Sequence, residues 1–288
     1  MIWDHDVRVI MMLTAESEGG QLKCHSYWGG REFGPLRLKP LSEKRVSLDT
    51  TKHRSNSKDH HDPGRRRANT TAERTAPTLS PTSETPHAIV RKFTLSHSAH
   101  PFSPMREITQ IHYASWPDFG APASPAQLLG LVELSNSVSR SSAAPTESSR
   151  SDEPETDENS RPVLVHCSAG CGRTGTFCTI DTVIDMLKRQ RKEIRSGVTP
   201  MEGVSTTSTA SRGGDYMMKG KEDEASVDGD WVLKQDMDLV ETTVEDFRQQ
   251  RISMVQSLRQ YVLCYETVLE WIAQQRFGAK GNRERRNS

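Results

Sequence analysis

Apolar residues in this chain occur in short blocks separated by long polar stretches. The run Val7 to Leu13 ends fully apolar, which fits a strand buried on both faces. After the turn signal Gly19-Gly20, Leu22 to Trp28 reads as a second strand. Ile89 to Leu95 and Met105 to Tyr113 read as two more. Ser124 then sits at a helix cap, with Pro125 in the first turn and Gln127 three residues on. Leu128, Leu131 and Val132 mark one face of that helix. Val163 to Val165 is a short buried strand followed by a glycine-rich turn. The next helix has Phe177, Ile180, Ile184 and Leu187 on one side. Two helices close the chain. One should turn Val240, Val244 and Phe247 inward, the other Leu258, Val262, Tyr265, Leu269 and Ile272.

Strands alternating with helices around a glycine turn predict an α/β fold with a mixed sheet flanked by helices. The polar stretches at 45–86, 136–160 and 196–229 carry too few large apolar residues to offset their ordering entropy, so disordered inserts are expected there. A disordered tail is expected at 278–288. The pieces between are each too small for a core of their own, so residues 1–277 are read as one interrupted domain.

Composition agrees with that dilution: 33% of the 288 residues are hydrophobic, and mean hydropathy is -0.69. Formal net charge is zero, which gives no reason to expect a nucleic-acid or membrane partner. The longest early apolar run, Val9 to Leu13, is too short to span a bilayer and lacks the basic start of a signal peptide. Five cysteines without framework spacing point to a reducing, cytoplasmic setting. Basic clusters at Arg65-Arg66-Arg67 and Arg283 to Arg286 are read as solvated charge, with a nuclear signal as the alternative.

The chemistry is concentrated in VLVHCSAGCGRTGTF, starting at Val163. A strand ends at His166 and Cys167, and five residues separate Cys167 from Arg173. Gly170 and Gly172 allow the backbone of Ser168, Ala169, Gly170, Cys171 and Gly172 to curl with its N–H groups inward. The following helix adds its positive end, and Arg173 adds a planar fork for two phosphate oxygens. Such a field lowers a thiol pKa and makes Cys167 a nucleophile toward a phosphoryl group. Thr174 is placed to hydrogen-bond the sulfur as it leaves. A zinc site from His166, Cys167 and Cys171 is the competing idea, but no second ligand pair follows at zinc spacing. No metal and no cofactor are expected. Cys171, Cys178 and Cys264 are otherwise read as small apolar fillers. A departing aryl oxide needs a proton, and Asp118 in Trp116-Pro117-Asp118-Phe119-Gly120 is the candidate donor, with Trp116 anchoring a turn that Pro117 and Gly120 bracket.

The string HCSAGCGRTG, together with WPDFGAP upstream, resembles the signature and acid loop of classical protein tyrosine phosphatases. The resemblance implies hydrolysis of phosphotyrosine through a cysteinyl phosphate, and phosphotyrosine proteins, signalling kinases among them, as partners. It implies that Gln256 holds the hydrolytic water and Gln260 lies one turn on as a substrate contact. It implies that Glu18 orients Arg173, that Lys23 contacts the acid loop, and that His166 tunes the thiol by hydrogen bonding. It also implies a further N-terminal segment with part of the sheet and a substrate-stacking tyrosine loop, so the fold is expected to be incomplete at the N-terminus and the chain's activity reduced. A phosphoprotein-binding module without turnover, and a dual-specificity or lipid phosphatase, are the alternatives.

Overall fold

The computed structural model describes residues 1–30, 32–49, 86–118, 120–122, 124–142, 151–155, 160–195 and 236–284, with side chains described as far as Arg276. Eight strands and four helices appear among them. The strands are β1 (Val9–Met12), β2 (Ser17–Glu18), β3 (Gln21–Leu22), β4 (Glu32–Phe33), β5 (Leu36–Ser47), β6 (His87–His97), β7 (Arg106–His112) and β8 (Val163–His166). The helices are α1 (Pro125–Ser142), α2 (Gly172–Arg195), α3 (Leu239–Gln250) and α4 (Leu258–Glu284).

Six strands form one mixed sheet in the order β4-β5-β6-β7-β1-β8, and β2 pairs with β3 as a small hairpin. β1 runs parallel to both β7 and β8, whereas β5, β6 and β7 are antiparallel neighbours. Strand alternation sends Val9, Met11 and Leu13 to the helical side, where they meet Leu128, Leu131, Phe177, Ile180 and Leu263. Ile10 faces the other way, with Phe93, Leu95 and Ile108. Burial on both faces explains the unbroken apolar run of β1. Among the described residues, no helix is long and apolar enough to cross a membrane.

The strands expected at 7–13, 89–95, 105–113 and 163–165 lie at β1, β6, β7 and β8. Four expectations need correction. Leu22 to Trp28 is not a strand: only Gln21–Leu22 pairs, and Tyr27 and Trp28 turn their rings toward the sheet. β5 has no counterpart in the apolar pattern and extends into the expected insert at 45–86 as far as Ser47, with Leu48 buried behind it. Residues 50–85 and the insert at 196–229 lie outside the described residues. At 136–160, α1 continues to Ser142 and buries Asn136. Glu155 then docks between helices, where its carboxylate meets Arg140 and the buried Lys188 (2.9 Å). Its amide reaches Asp185 at 2.5 Å.

The fourth correction is the face of α4. Leu258, Val262 and Leu269 are exposed, while Gln260, Leu263, Cys264, Thr267, Val268 and Trp271 face inward. Two stripes compete on this helix, and its docking against α2 and α1 selects the one carrying Gln260. α4 also runs to Glu284, past the expected start of a tail. In α3, Asp238 caps the first turn by accepting from the amides of Val240 and Glu241, both at 3.0 Å.

One half-buried carboxyl is set against the fold. Asp181 on α2 accepts from Asn136 Nδ2 at 3.2 Å. Burial pushes its pKa up to about 6; the Asn136 bond opposes that rise and Asp185 adds to it. A raised carboxyl contributes stability below its unfolded pKa and loses it as pH rises through about 6. Asp181→Asn is therefore expected to match the wild type near pH 4 and to exceed it by about 1–3 kcal/mol at pH 8, measured by urea unfolding at both.

Candidate active site

The β8 strand ends at His166, whose carbonyl accepts from the Leu13 amide at 2.8 Å and fixes the strand's exit. The chain then curls back before α2 begins at Gly172. Gly170 has a φ of 69°, in the region that suits glycine. Gly175 has no room for a side chain, because a Cβ there would lie 2.5 Å from the Val255 amide nitrogen. The missing Cβ lets the turn between α3 and α4 press directly onto the start of α2 through Val255, whose amide donates to Cys171 O at 3.3 Å.

Cys167 lies at the base of this loop, 6% exposed. Burial alone would raise its thiol. The Thr174 hydroxyl and the amides of Thr174, Cys171 and Gly170, which surround the sulfur, outweigh it, and its pKa falls below the ordinary thiol value. The Thr174 hydroxyl is buried with no fully formed hydrogen bond, so the sulfur is the acceptor it faces. Ser168 and Ala169 form the exposed outer rim.

Arg173 is 1% exposed and held from two sides. Its Nη1 donates to Glu18 Oε1 at 2.5 Å and to Trp116 O at 2.9 Å, and its Nη2 donates to Asp118 Oδ1 at 3.2 Å. Its Nε is buried without a partner. Asp118 Oδ2 takes the Lys23 ammonium at 3.1 Å. Trp116 is fully buried and donates through Nε1 to Gly120 O at 3.0 Å, while Pro117 is exposed. Phe119 lies outside the described residues. Glu18, Lys23, Trp116 and Asp118 are thus brought together around Arg173 from separate parts of the chain.

Gln256 sits against the loop: a Cβ on Gly172 would lie 2.7 Å from its Oε1. Gln260 is 1% exposed and its Oε1 accepts from the amides of Gln256 (3.1 Å) and Ser257 (3.3 Å), so it braces the backbone that carries Gln256. His166 hydrogen-bonds through Nδ1 to the carbonyl of Cys167 (3.2 Å) and through Nε2 to the Tyr27 hydroxyl (2.8 Å). Burial lowers its pKa, with the Cys167 carbonyl opposing, so the ring is neutral at pH 7. Cys178 and Cys264 fit the filler reading, and burial raises both thiols to about 12. Cys171 is more than a filler: its amide faces the Cys167 sulfur, and its own sulfur accepts from Arg251 Nε at 3.0 Å.

Sequence reasoning missed Tyr27, Arg251, Arg91, Gln110 and His112. The signal for the last three was available as polar residues inside apolar strands, which must be partnered when buried. Among the described residues, no cluster of three His, Cys, Asp or Glu side chains is arranged to hold a metal.

Comparison with known proteins places these features in context. A family model described as protein-tyrosine phosphatase matches residues 1–207. The chain is 28% identical over 191 residues to human tyrosine-protein phosphatase non-receptor type 9, covering 65% of this chain and 25% of that protein. It is 31% identical over 193 residues to Drosophila melanogaster tyrosine-protein phosphatase corkscrew, covering 66% and 17%. It thus spans a quarter or less of these relatives' lengths. A solved structure of PTPN18 in complex with HER2-pY1248 phosphopeptides shares the fold, with a TM-score of 0.51 and 22% identity over 93% of this chain and 64% of that one.

Proposed function

Since this chain belongs to the protein-tyrosine phosphatase family, we propose that it hydrolyses phosphotyrosine in proteins through a cysteinyl-phosphate intermediate. The observation that carries this reading is the convergence of the Gly170, Cys171 and Thr174 amides on the Cys167 sulfur, which leaves its pKa low despite burial.

A phosphate dianion in the loop would meet the same inward amides and the unused Nε of Arg173. Cys167 attacks phosphorus and the tyrosine oxygen departs. Asp118 supplies its proton. Its two oxygens rest on Arg173 and Lys23. In the second step Gln256 orients water toward the phosphocysteine, the Asp118 carboxylate takes that water's proton as the P–S bond breaks, and the Thr174 hydroxyl stabilises the departing thiolate. His166 acts through the backbone of Cys167 and carries no proton to substrate. The phosphopeptide-bound PTPN18 structure supports a phosphotyrosine-bearing protein as substrate, and signalling kinases are the class proposed.

Phosphotyrosine and phosphoserine peptides of one sequence test the reading. Turnover of the first alone supports it; comparable turnover of both favours a dual-specificity enzyme. Tight binding with no turnover of either favours a binding module. Asp118→Asn is expected to lower kcat by about 10²–10⁴-fold. The loss should shrink as the leaving phenol becomes more acidic, measured across substituted aryl phosphates; a uniform loss would remove Asp118 as the acid.

A further inference from the structure

The sheet carries a buried polar chain that the reaction steps above do not use. Arg91 on β6 is 8% exposed and lies directly opposite Gln110 on β7. Its Nε pairs with Glu43 at 2.6 Å, and its guanidinium carbon lies 4.7 Å over the centre of the Trp28 ring. Its Nη1 bonds Gln110 Oε1 at 3.0 Å and His112 Nδ1 at 3.1 Å.

A guanidinium only donates, so it fixes the direction of every bond downstream. Gln110 must turn its oxygen to Arg91, which leaves its amide nitrogen to donate to the Tyr27 oxygen at 2.7 Å. Tyr27 then directs its own proton to His166 Nε2, at 2.8 Å. A neutral His166 accepting at Nε2 carries its proton on Nδ1, where it donates to the Cys167 carbonyl at 3.2 Å. A second branch ends at the Thr14 carbonyl. His112 accepts at Nδ1, so its Nε2 donates to Thr14 O at 2.8 Å.

We propose that Arg91 is a positioning residue, whose donor-only head polarises a hydrogen-bond chain that ends on Cys167 through Gln110, Tyr27 and His166. The catalytic benefit rests on the phosphatase reading above; the tautomer it imposes on His166 does not.

Gln110→Glu tests this, because the introduced carboxylate keeps the size and still pairs with Arg91 but accepts on both sides. The Tyr27 proton then turns to it, and His166 must donate from Nε2 instead of Nδ1. In the wild type, ¹⁵N NMR of labelled histidine should show His166 as the Nδ1–H tautomer, and the variant should show Nε2–H. kcat on an aryl phosphate should fall about tenfold with little change in KM. The alkylation midpoint of Cys167 should rise by about one pH unit, equivalent to that tenfold at fixed pH. If the variant does not fold, as judged by thermal unfolding, Tyr27→Phe replaces it and should leave His166 a mixture of tautomers with a similar loss. An unchanged tautomer, or a switched one with unchanged kcat, overturns the proposal. A wild type that shows the Nδ1–H tautomer yet hydrolyses no phosphate ester would sink the phosphatase reading and leave the hydrogen-bond direction standing.

Discussion

Cys167→Ser is expected to abolish hydrolysis of aryl phosphates, a loss of at least about 10⁴-fold in kcat, while the chain still folds. The loop amides remain in the serine variant, so phosphate should still bind. What disappears is the nucleophile: an alcohol does not ionise near neutral pH, whereas the Cys167 thiol is held below its usual range against the opposing effect of burial. Wild-type Cys167 should therefore react with iodoacetate below the titration of a free thiol at about 8.5, and vanadate should protect it. The same shift links pH to stability. A thiol lowered in the folded state contributes stability in full above its unfolded pKa and loses it as pH falls through its folded pKa. The serine variant lacks this dependence, so the stability difference between the two proteins should change with pH across that window. Residual turnover within tenfold of the wild type would rule out Cys167 as the attacking group.

The second large effect is at Arg173. Arg173→Lys is expected to reduce kcat/KM by about 10³-fold and to weaken inhibition by inorganic phosphate. Lysine keeps the charge but cannot serve Glu18, the Trp116 carbonyl and Asp118 together, as the guanidinium does. A single ammonium that satisfies Glu18 leaves the acid loop unanchored. The variant should therefore lose both phosphate affinity and the docking of residues 116–118. Unfilled partners at a site 1% exposed should also cost about 1–3 kcal/mol of stability. Steady-state kinetics beside thermal unfolding separate the two losses. A variant with ordinary kcat/KM would show that the fork is dispensable.

Sequence pattern is informative where local signal and tertiary demand coincide. β1, β6 and β7 announce themselves because their apolar positions are buried in the sheet, and β8 by an apolar run that packs half-buried beside β1. β5 does not, because its residues are largely exposed and its order comes from pairing with β6 along eleven register positions. The α4 face is ambiguous because two apolar stripes are available, and only contact with α2 and the Gln260 brace chooses between them. Tyr27 reads as part of a strand because its aromatic neighbours look like one, yet its hydroxyl is a junction between Gln110 and His166.

From residue order alone came the proposed nucleophile, its loop and the following helix, since Cys167 to Arg173 is one continuous segment whose glycines and helix start dictate an anion cradle. The partners of that segment lie far along the chain, and only the WPDFGAP motif and the family resemblance pointed to them. Glu18 and Arg173 are 155 positions apart and Arg173 and Asp118 are 55 apart, and no periodicity encodes a contact across such gaps. The sheet decides it: β1 between β7 and β8 aligns Met12 with both His112 and His166, and so brings residues 116–118, the β2-β3 hairpin and the Cys167 loop to one end.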